Sequence, residues 1–351
     1  MKHKSQRGIF EEENRLSKLT KQQDPLVRLR LMIDWDQFRE ALTLAVKKEA
    51  KGAGGRPPFD YVMMFKILIL QRYYNLSDDQ TEFQILDRLS FMRFLGLTLN
   101  DRVPDSKTIW SFREQLTEAN VTENLFSVFI DRLTAAGLVL HEGSIVDASF
   151  VEVPKQRNSR KENEQIKAGQ IPEDWQERPN KLSQKDIDAR WTKKNNVAFY
   201  GYKDHVKVDS GSKLVITYCV TDASVHDSQE ILGLLTDKDK NKSLHADSAY
   251  SGAGIAAELS GREIQNQIHE KGYKKRPLTE KQIENNKIKS KVRARVEHVF
   301  GFVENSMNGS FIRSIGKKRA TAIIGLINLT YNVFRALQLI TKGKQGISVS
   351  I

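Results

Sequence analysis

The sequence predicts an α/β protein, with a mixed five-stranded sheet flanked by helices and preceded by an all-helical N-terminal domain. Three observations predict it. Up to Gly137 apolar residues recur at helical spacing, with capping residues between the runs; from Ser144 short alternating runs take over; and the last apolar stretch, Arg319 to Leu339, is apolar nearly all round, as a buried helix is. With 351 residues the chain has the length for two or three domains and a sizeable core. The change of pattern divides it into a helical unit, residues 1–137, and a unit of strands and helices, residues 138–345.

In the first unit, Leu26, Leu29, Leu31, Met32, Phe38 and Leu42 form a short apolar pattern that ends at a Gly- and Pro-rich hinge, Lys51 to Pro58. A helix is expected from Tyr61 to Tyr74. Ser77, with Gln80 three residues on, reads as a capping box that opens the next, which bears Phe83, Ile85, Leu86 and Leu89. Asp105 to Thr108 can cap a helix carrying Ile109, Trp110, Phe112 and Leu116, and Thr122 to Leu133 is one more, stopped before Gly137. Helix, turn and capped helix suit a DNA-reading helix-turn-helix, and equally an ordinary bundle with solvated basic residues.

In the second unit, strands are expected at Ser144–Val153, Val197–Val208 and Leu214–Ala223, the last two joined by the turn Asp209–Ser212 as a hairpin. Between the first and second lies a polar stretch, about 154–196, with too few apolar residues for much core, read as a surface insertion. His226 to Leu235 looks helical, Ser243 to Ser248 is a fourth strand, Ser251 to Leu259 a short helix and Ile264 to His269 a fifth strand. A helix from about Lys287 to Val303 follows the basic loop Lys271 to Pro277. This order matches the ribonuclease-H-like fold.

The net charge of +12 favours a polyanionic partner. One cysteine, Cys219, sits in an apolar run, which excludes intrachain disulfides and cysteine-rich zinc sites and suits a reducing cytoplasm. No signal peptide is visible, and the most apolar windows are broken by Lys66 or by Asn328, Thr330 and Asn332, so a membrane span is not expected. A Gly-rich phosphate loop, a zinc motif and a nucleophile elbow are all missing, which counts against a small-molecule enzyme.

Three carboxylates stand out. Asp147 occupies the middle of the first strand, on the face of Ile145 and Ser149; Asp247 ends the fourth strand, on the face of His245; and Glu297 lies at the rim of the apolar stripe Ile288, Val292, Val296, Val299 and Val303. Singly, each is more often a turn residue or, with Arg293 at i−4, a helix ion pair. Together, two neighbouring strands and a covering helix can bring them to one place. Phosphodiester chemistry needs an activated oxygen nucleophile and a stabilised leaving oxyanion, which two metal ions about 3.5–4 Å apart supply. Clustered carboxylates without metal repel one another and gain nothing structurally.

The residues around these carboxylates carry a resemblance. Ile145-Val-Asp-Ala-Ser149, His245-Ala-Asp-Ser-Ala-Tyr250 and Arg293-Ala-Arg-Val-Glu-His-Val-Phe300, with Asp186-Ile-Asp-Ala-Arg-Trp-Thr-Lys-Lys194 and Tyr200-Gly-Tyr-Lys203, resemble the DDE-class bacterial insertion-sequence transposases, more narrowly the insertion-sequence-five-like group. The resemblance covers nearly the whole chain, and Leu76 to Leu116 is similar to the family's N-terminal DNA-binding part. In the signature around the glutamate, Arg293 and Glu297 match, while Ser290 and Glu304 stand where the family has Tyr and Lys.

The resemblance implies cleavage at the terminal inverted repeats of the element and joining of the 3′ hydroxyls to target DNA. It implies two Mg2+ ions, with Mn2+ as a substitute, held by Asp147, Asp247 and Glu297, with Asp147 bridging and Arg293 in support. It further implies double-stranded DNA as partner, a homodimer on that DNA, and a cytoplasmic protein associated with the nucleoid when bound. Candidate phosphate contacts are Lys107, Arg113, Lys193, Lys194, Lys203, Lys207, Lys274, Lys275 and Arg276. Two other readings stay open: a catalytically inactive DNA-binding derivative, and a ribonuclease-H-fold nuclease without strand transfer.

Overall fold

The computed structural model describes residues 11–22, 24–46 and 57–342. Most of the expected hinge, and the chain beyond residue 342, lie outside the described residues. Eight helices come first: α1 (Glu11–Lys21), α2 (Pro25–Met32), α3 (Arg39–Val46), α4 (Tyr61–Tyr73), α5 (Asp78–Asp87), α6 (Leu89–Leu95), α7 (Ser106–Glu118) and α8 (Thr122–Ala135). Their ends are chemically marked. Asp60 accepts from the Met63 N–H to cap α4, Ser77 and Gln80 form the expected reciprocal box at α5, and Asp105 accepts from Thr108 at α7. Gly137, at φ +71°, lets the chain leave α8 in a left-handed turn.

The strands are β1 (Ser144–Glu152), β2 (Arg190–Lys194), β3 (Val197–Asp209), β4 (Val215–Asp222), β5 (Ser243–Ala246) and β6 (Gln265–Ile268). All five expected strands are present, and the insertion adds a sixth, the short β2. Setting β2 aside, the order across the sheet is β6-β5-β1-β3-β4, with β1, β5 and β6 parallel and β3 antiparallel to both its neighbours. This is the ribonuclease-H-like arrangement. Ile145, Asp147 and Ser149 share one face with Val208, Val206 and Asp204, their partners on β3.

That face is covered by α13 (Glu280–Met307) and α14 (Lys317–Lys342), and its apolar residues join those of α2 to α8 in one continuous core. The other face carries a second core of Val146, Leu244, Ala246 and Tyr250 under Ile231, Leu234 and Leu259, the last from α12 (Ala253–Gly261). Here the expectation of a helix over His226–Leu235 is corrected, for the segment is a run of single 3-10 turns at Asp227–Gln229 and Leu232–Leu234. Lys203 binds the Val225 carbonyl and the Asp227 carboxylate, which holds the start of the segment against β3, and Lys207 binds Asp239 just beyond it.

The insertion also builds more than expected. It forms α9 (Arg160–Lys167), α10 (Glu173–Gln176) and α11 (Pro179–Leu182) around a fully buried Trp175, whose indole N–H donates to Glu162. Asp186 then anchors its end, accepting from the Tyr202 hydroxyl, the Ala189 N–H and the Gly316 N–H ahead of α14.

By length and composition α14 is apolar enough to cross a membrane, yet 72% of its most apolar window is buried inside the fold. The residues that interrupt that window are all partnered. Asn332 hydrogen-bonds both the N–H and the carbonyl of Val215, Asn328 donates to Asp204, and Thr330 bonds back to Leu326.

Candidate active site

Asp147 stands mid-strand on the face beneath α13, a mostly buried carboxylate among apolar neighbours. Its Oδ1 accepts from the Ala148 N–H at 2.8 Å and its Oδ2 from Arg293 Nη1 at 3.0 Å. Burial pushes its pKa up to about 6; the charges of Asp247 and Glu297 push the same way, while the Ala148 N–H and Arg293 oppose them. Asp247 ends the adjacent parallel strand, where its Oδ1 accepts from Ala249 N–H at 2.7 Å and caps the turn Ser248–Tyr250.

Glu297 arrives on α13. That helix opens on a Thr279–Gln282 capping box and buries Val296 and Val299 against the sheet. Lys289 and Arg295 then tie it to the carbonyls of Ile268, in β6, and Ser210, in the turn after β3. Ile288, read as part of the buried stripe, is exposed, so the docked stripe runs from Val292 onward. The Glu297 carboxylate is 60% exposed, with Arg293 Nη1 at 3.4 Å.

The charges of Asp247 and Glu297 thus both reach Asp147, but the three side chains do not close into a cage. Among the described residues no three Asp, Glu, His or Cys side chains are gathered tightly enough to hold a metal ion. A single nitrogen of Arg293 contacts two of the three carboxylates, Asp147 Oδ2 at 3.0 Å and Glu297 Oε1 at 3.4 Å. The donor chemistry nevertheless fits a hard divalent ion, since all three side chains offer carboxylate oxygen, and the pKa of Asp147 is raised by burial first and then by the charges of Asp247 and Glu297.

Sequence reasoning gave no role to two buried groups beside the carboxylates. The Tyr250 hydroxyl is buried without a hydrogen-bond partner, its pKa raised by burial first and then by the charge of Asp147. His245, two residues before Asp247, has an unpartnered Nδ1 and a pKa pulled down to about 4 by burial and by Lys289. Both lie in the stretch that marked Asp247, but burial, the signal that singles them out, shows only in the fold.

The basic candidates divide. Lys107, Lys193, Lys194, Lys274, Lys275 and Arg276 are exposed. Lys203 and Lys207 are corrected, because both are buried, each with its ammonium in an ion pair, and neither reaches the surface. Arg113 is likewise committed, gripping Asp78 through both terminal nitrogens at 2.6 and 2.8 Å. Ser290 bonds back to the Asn286 carbonyl within α13, and Glu304 is exposed farther along it.

Comparison with known proteins gives the family of the chain. Residues 140–333, from just before β1 into α14, match the family described as transposase DDE domain, and residues 14–115 match the transposase domain (DUF772). Among solved structures, a piggyBac transposase in a synaptic complex with hairpin DNA is similar at 13% identity, with 92% of this chain and 77% of that chain covered and a TM-score of 0.46. With the DDE domain matched over more than half its length and the companion domain ahead of it, the chain belongs to the DDE-class insertion-sequence transposases.

Proposed function

We propose that the protein cleaves the ends of its own insertion element at terminal inverted repeats and joins the freed 3′ hydroxyls to target DNA, as a member of the insertion-sequence-five-like group. The observation that carries this is the convergence of Asp147 Oδ2 and Glu297 Oε1 on one positive charge, with Asp247 close enough to raise the Asp147 pKa. Bound divalent metal, Mg2+ or its substitute Mn2+, would supply Lewis acidity to the attacking and leaving oxygens. Asp147, rooted mid-strand, would hold the central position, with Asp247 and Glu297 to either side. Arg293 would then turn from the carboxylates toward a DNA phosphate.

On this reading residues 1–137 form the end-recognition unit and 138–345 the catalytic one. Lys107, Lys193, Lys194, Lys274, Lys275 and Arg276 would touch phosphates and set position without reading sequence. Processing two ends together calls for a homodimer on the DNA.

The test is magnesium-dependent nicking of element-end DNA. Asp147→Asn, Asp247→Asn and Glu297→Gln should each abolish nicking while DNA binding persists, and cleavage retained by any one of them would refute the assignment. Joined product on a supercoiled target separates a transposase from a nuclease that only cuts.

A further inference from the structure

Away from the carboxylates, a polar cleft of about 600 Å3 opens where the helical unit meets the link between α13 and α14. One wall carries Gln71 and Arg72 from α4, Asp78 from α5 and Arg113 from α7; the other carries Phe311 and Arg313. Arg72 and Arg113 both donate to the Gln71 side-chain oxygen at 3.0 Å, and the Gln71 amide nitrogen in turn donates to Asp78 at 2.7 Å. One carboxylate, Asp78, therefore serves two guanidinium groups and is already fully engaged by Arg113.

Arg72 itself makes no direct ion pair among the described residues, and Asp78 acts on it only from beyond the Gln71 side chain. Its Nε is sealed from solvent with no hydrogen-bond partner, and burial followed by the neighbouring Arg113 charge pulls its pKa down to about 10. Across the cleft Arg313 is exposed and makes no hydrogen bond or ion pair among the described residues. A sequestered cation with an idle planar donor, faced by a second idle guanidinium, is the chemistry that recognises a phosphate. Leaving it unsatisfied costs stability.

We propose that this cleft seats a backbone phosphate of bound duplex DNA between Arg72 and Arg313. The assignment deepens the transposase reading and rests on it. A duplex is favoured over a free anion because the cleft joins the two units that must act on one DNA. The Arg313 side of it is also tied to the catalytic strand: the Ile312 N–H donates to the Glu152 carbonyl and the Glu152 N–H to the Ser310 carbonyl, at the end of the strand that bears Asp147. A phosphate held here is indexed to the carboxylates through backbone alone.

The test measures binding of the full chain to a fluorescent random-sequence duplex in EDTA, where no cleavage intervenes, across a range of salt. Arg313→Ala, at an exposed position, should weaken binding about tenfold and make the salt dependence shallower by about one ion. Arg72→Met should weaken it comparably while the thermal midpoint of the free protein holds or rises. Arg262→Ala, which removes the same charge just beyond the end of α12, should change little. Wild-type affinity in Arg313→Ala would overturn the assignment, as would an equal loss in Arg262→Ala, or a lowered midpoint with unchanged affinity in Arg72→Met. Inorganic phosphate that stabilises the wild type while Arg313→Ala binds the duplex normally would make the cleft a free-anion site instead. A wild type that binds no duplex would remove the transposase reading itself, whereas one that binds and nicks normally alongside an unaffected Arg313→Ala removes only this cleft.

Discussion

Arg293 is the residue on which the carboxylate site turns. One guanidinium nitrogen reaches both Asp147 and Glu297, so cation binding at those oxygens competes with a tethered positive charge. Arg293→Gln should therefore bind Mn2+ several-fold more tightly than the wild type in the absence of DNA, at about pH 8 where Asp147 is ionised. The gain should shrink at lower pH. Arg293 holds the Asp147 pKa down against burial, so without it the group protonates earlier as pH falls and a proton competes more strongly with the metal. Paramagnetic resonance of free Mn2+ reads both effects, and unchanged or weaker binding at the higher pH would contradict the competition. At this scale the sequence was legible for charge but not for pairing. Alternation along the expected strand Val197–Val208 places Lys203 and Lys207 on one face, but it does not show that Asp227 and Asp239, from later in the chain, neutralise them there.

Among the elements, the joint between β1 and β3 is the most exacting. At Gly201, the glycine of the Tyr-Gly-Tyr-Lys stretch, φ is +148°, and an added Cβ would lie 2.3 Å from the Val151 carbonyl oxygen. Gly201→Ala should cost more than about 2 kcal/mol of stability, measured by urea unfolding; a loss within error would show that the strand pair tolerates the side chain. Strands β1 and β3 were readable because apolar and polar residues alternate along much of each, although a core covers both faces of the sheet. The short β2, Arg190-Trp-Thr-Lys-Lys194, was not, since its residues are mostly polar and its pairing is with β3 alone. His226–Leu235 was read as a helix, but Ile231, Leu234 and Leu235 reach the second core through separate turns, with Asp227 paired to Lys203 of β3.

For the molecule as a whole, the change of pattern near residue 137 marks a change of architecture but not a break in packing. A single core contains Phe65 and Phe129 from the helical unit, Ile145 and Val206 from the sheet, and Leu329 and Phe334 from α14. Tyr73 of α4 stacks on Phe334 with ring centroids 3.5 Å apart. Calorimetry should accordingly show one cooperative transition, and residues 1–137 alone should melt without cooperativity; two resolved transitions would show that the units fold independently. The sequence could not reveal this sharing, because a helix apolar on every side announces burial without naming the surfaces that bury it.

The placement of α14 bears on how such an enzyme could be given a new address. A hybrid that borrowed its first 137 residues from a relative would lay a foreign α4 and α8 against a resident α14. Swapped modules would succeed only when that last helix, remote in sequence from the graft, travelled with them or was redesigned to suit.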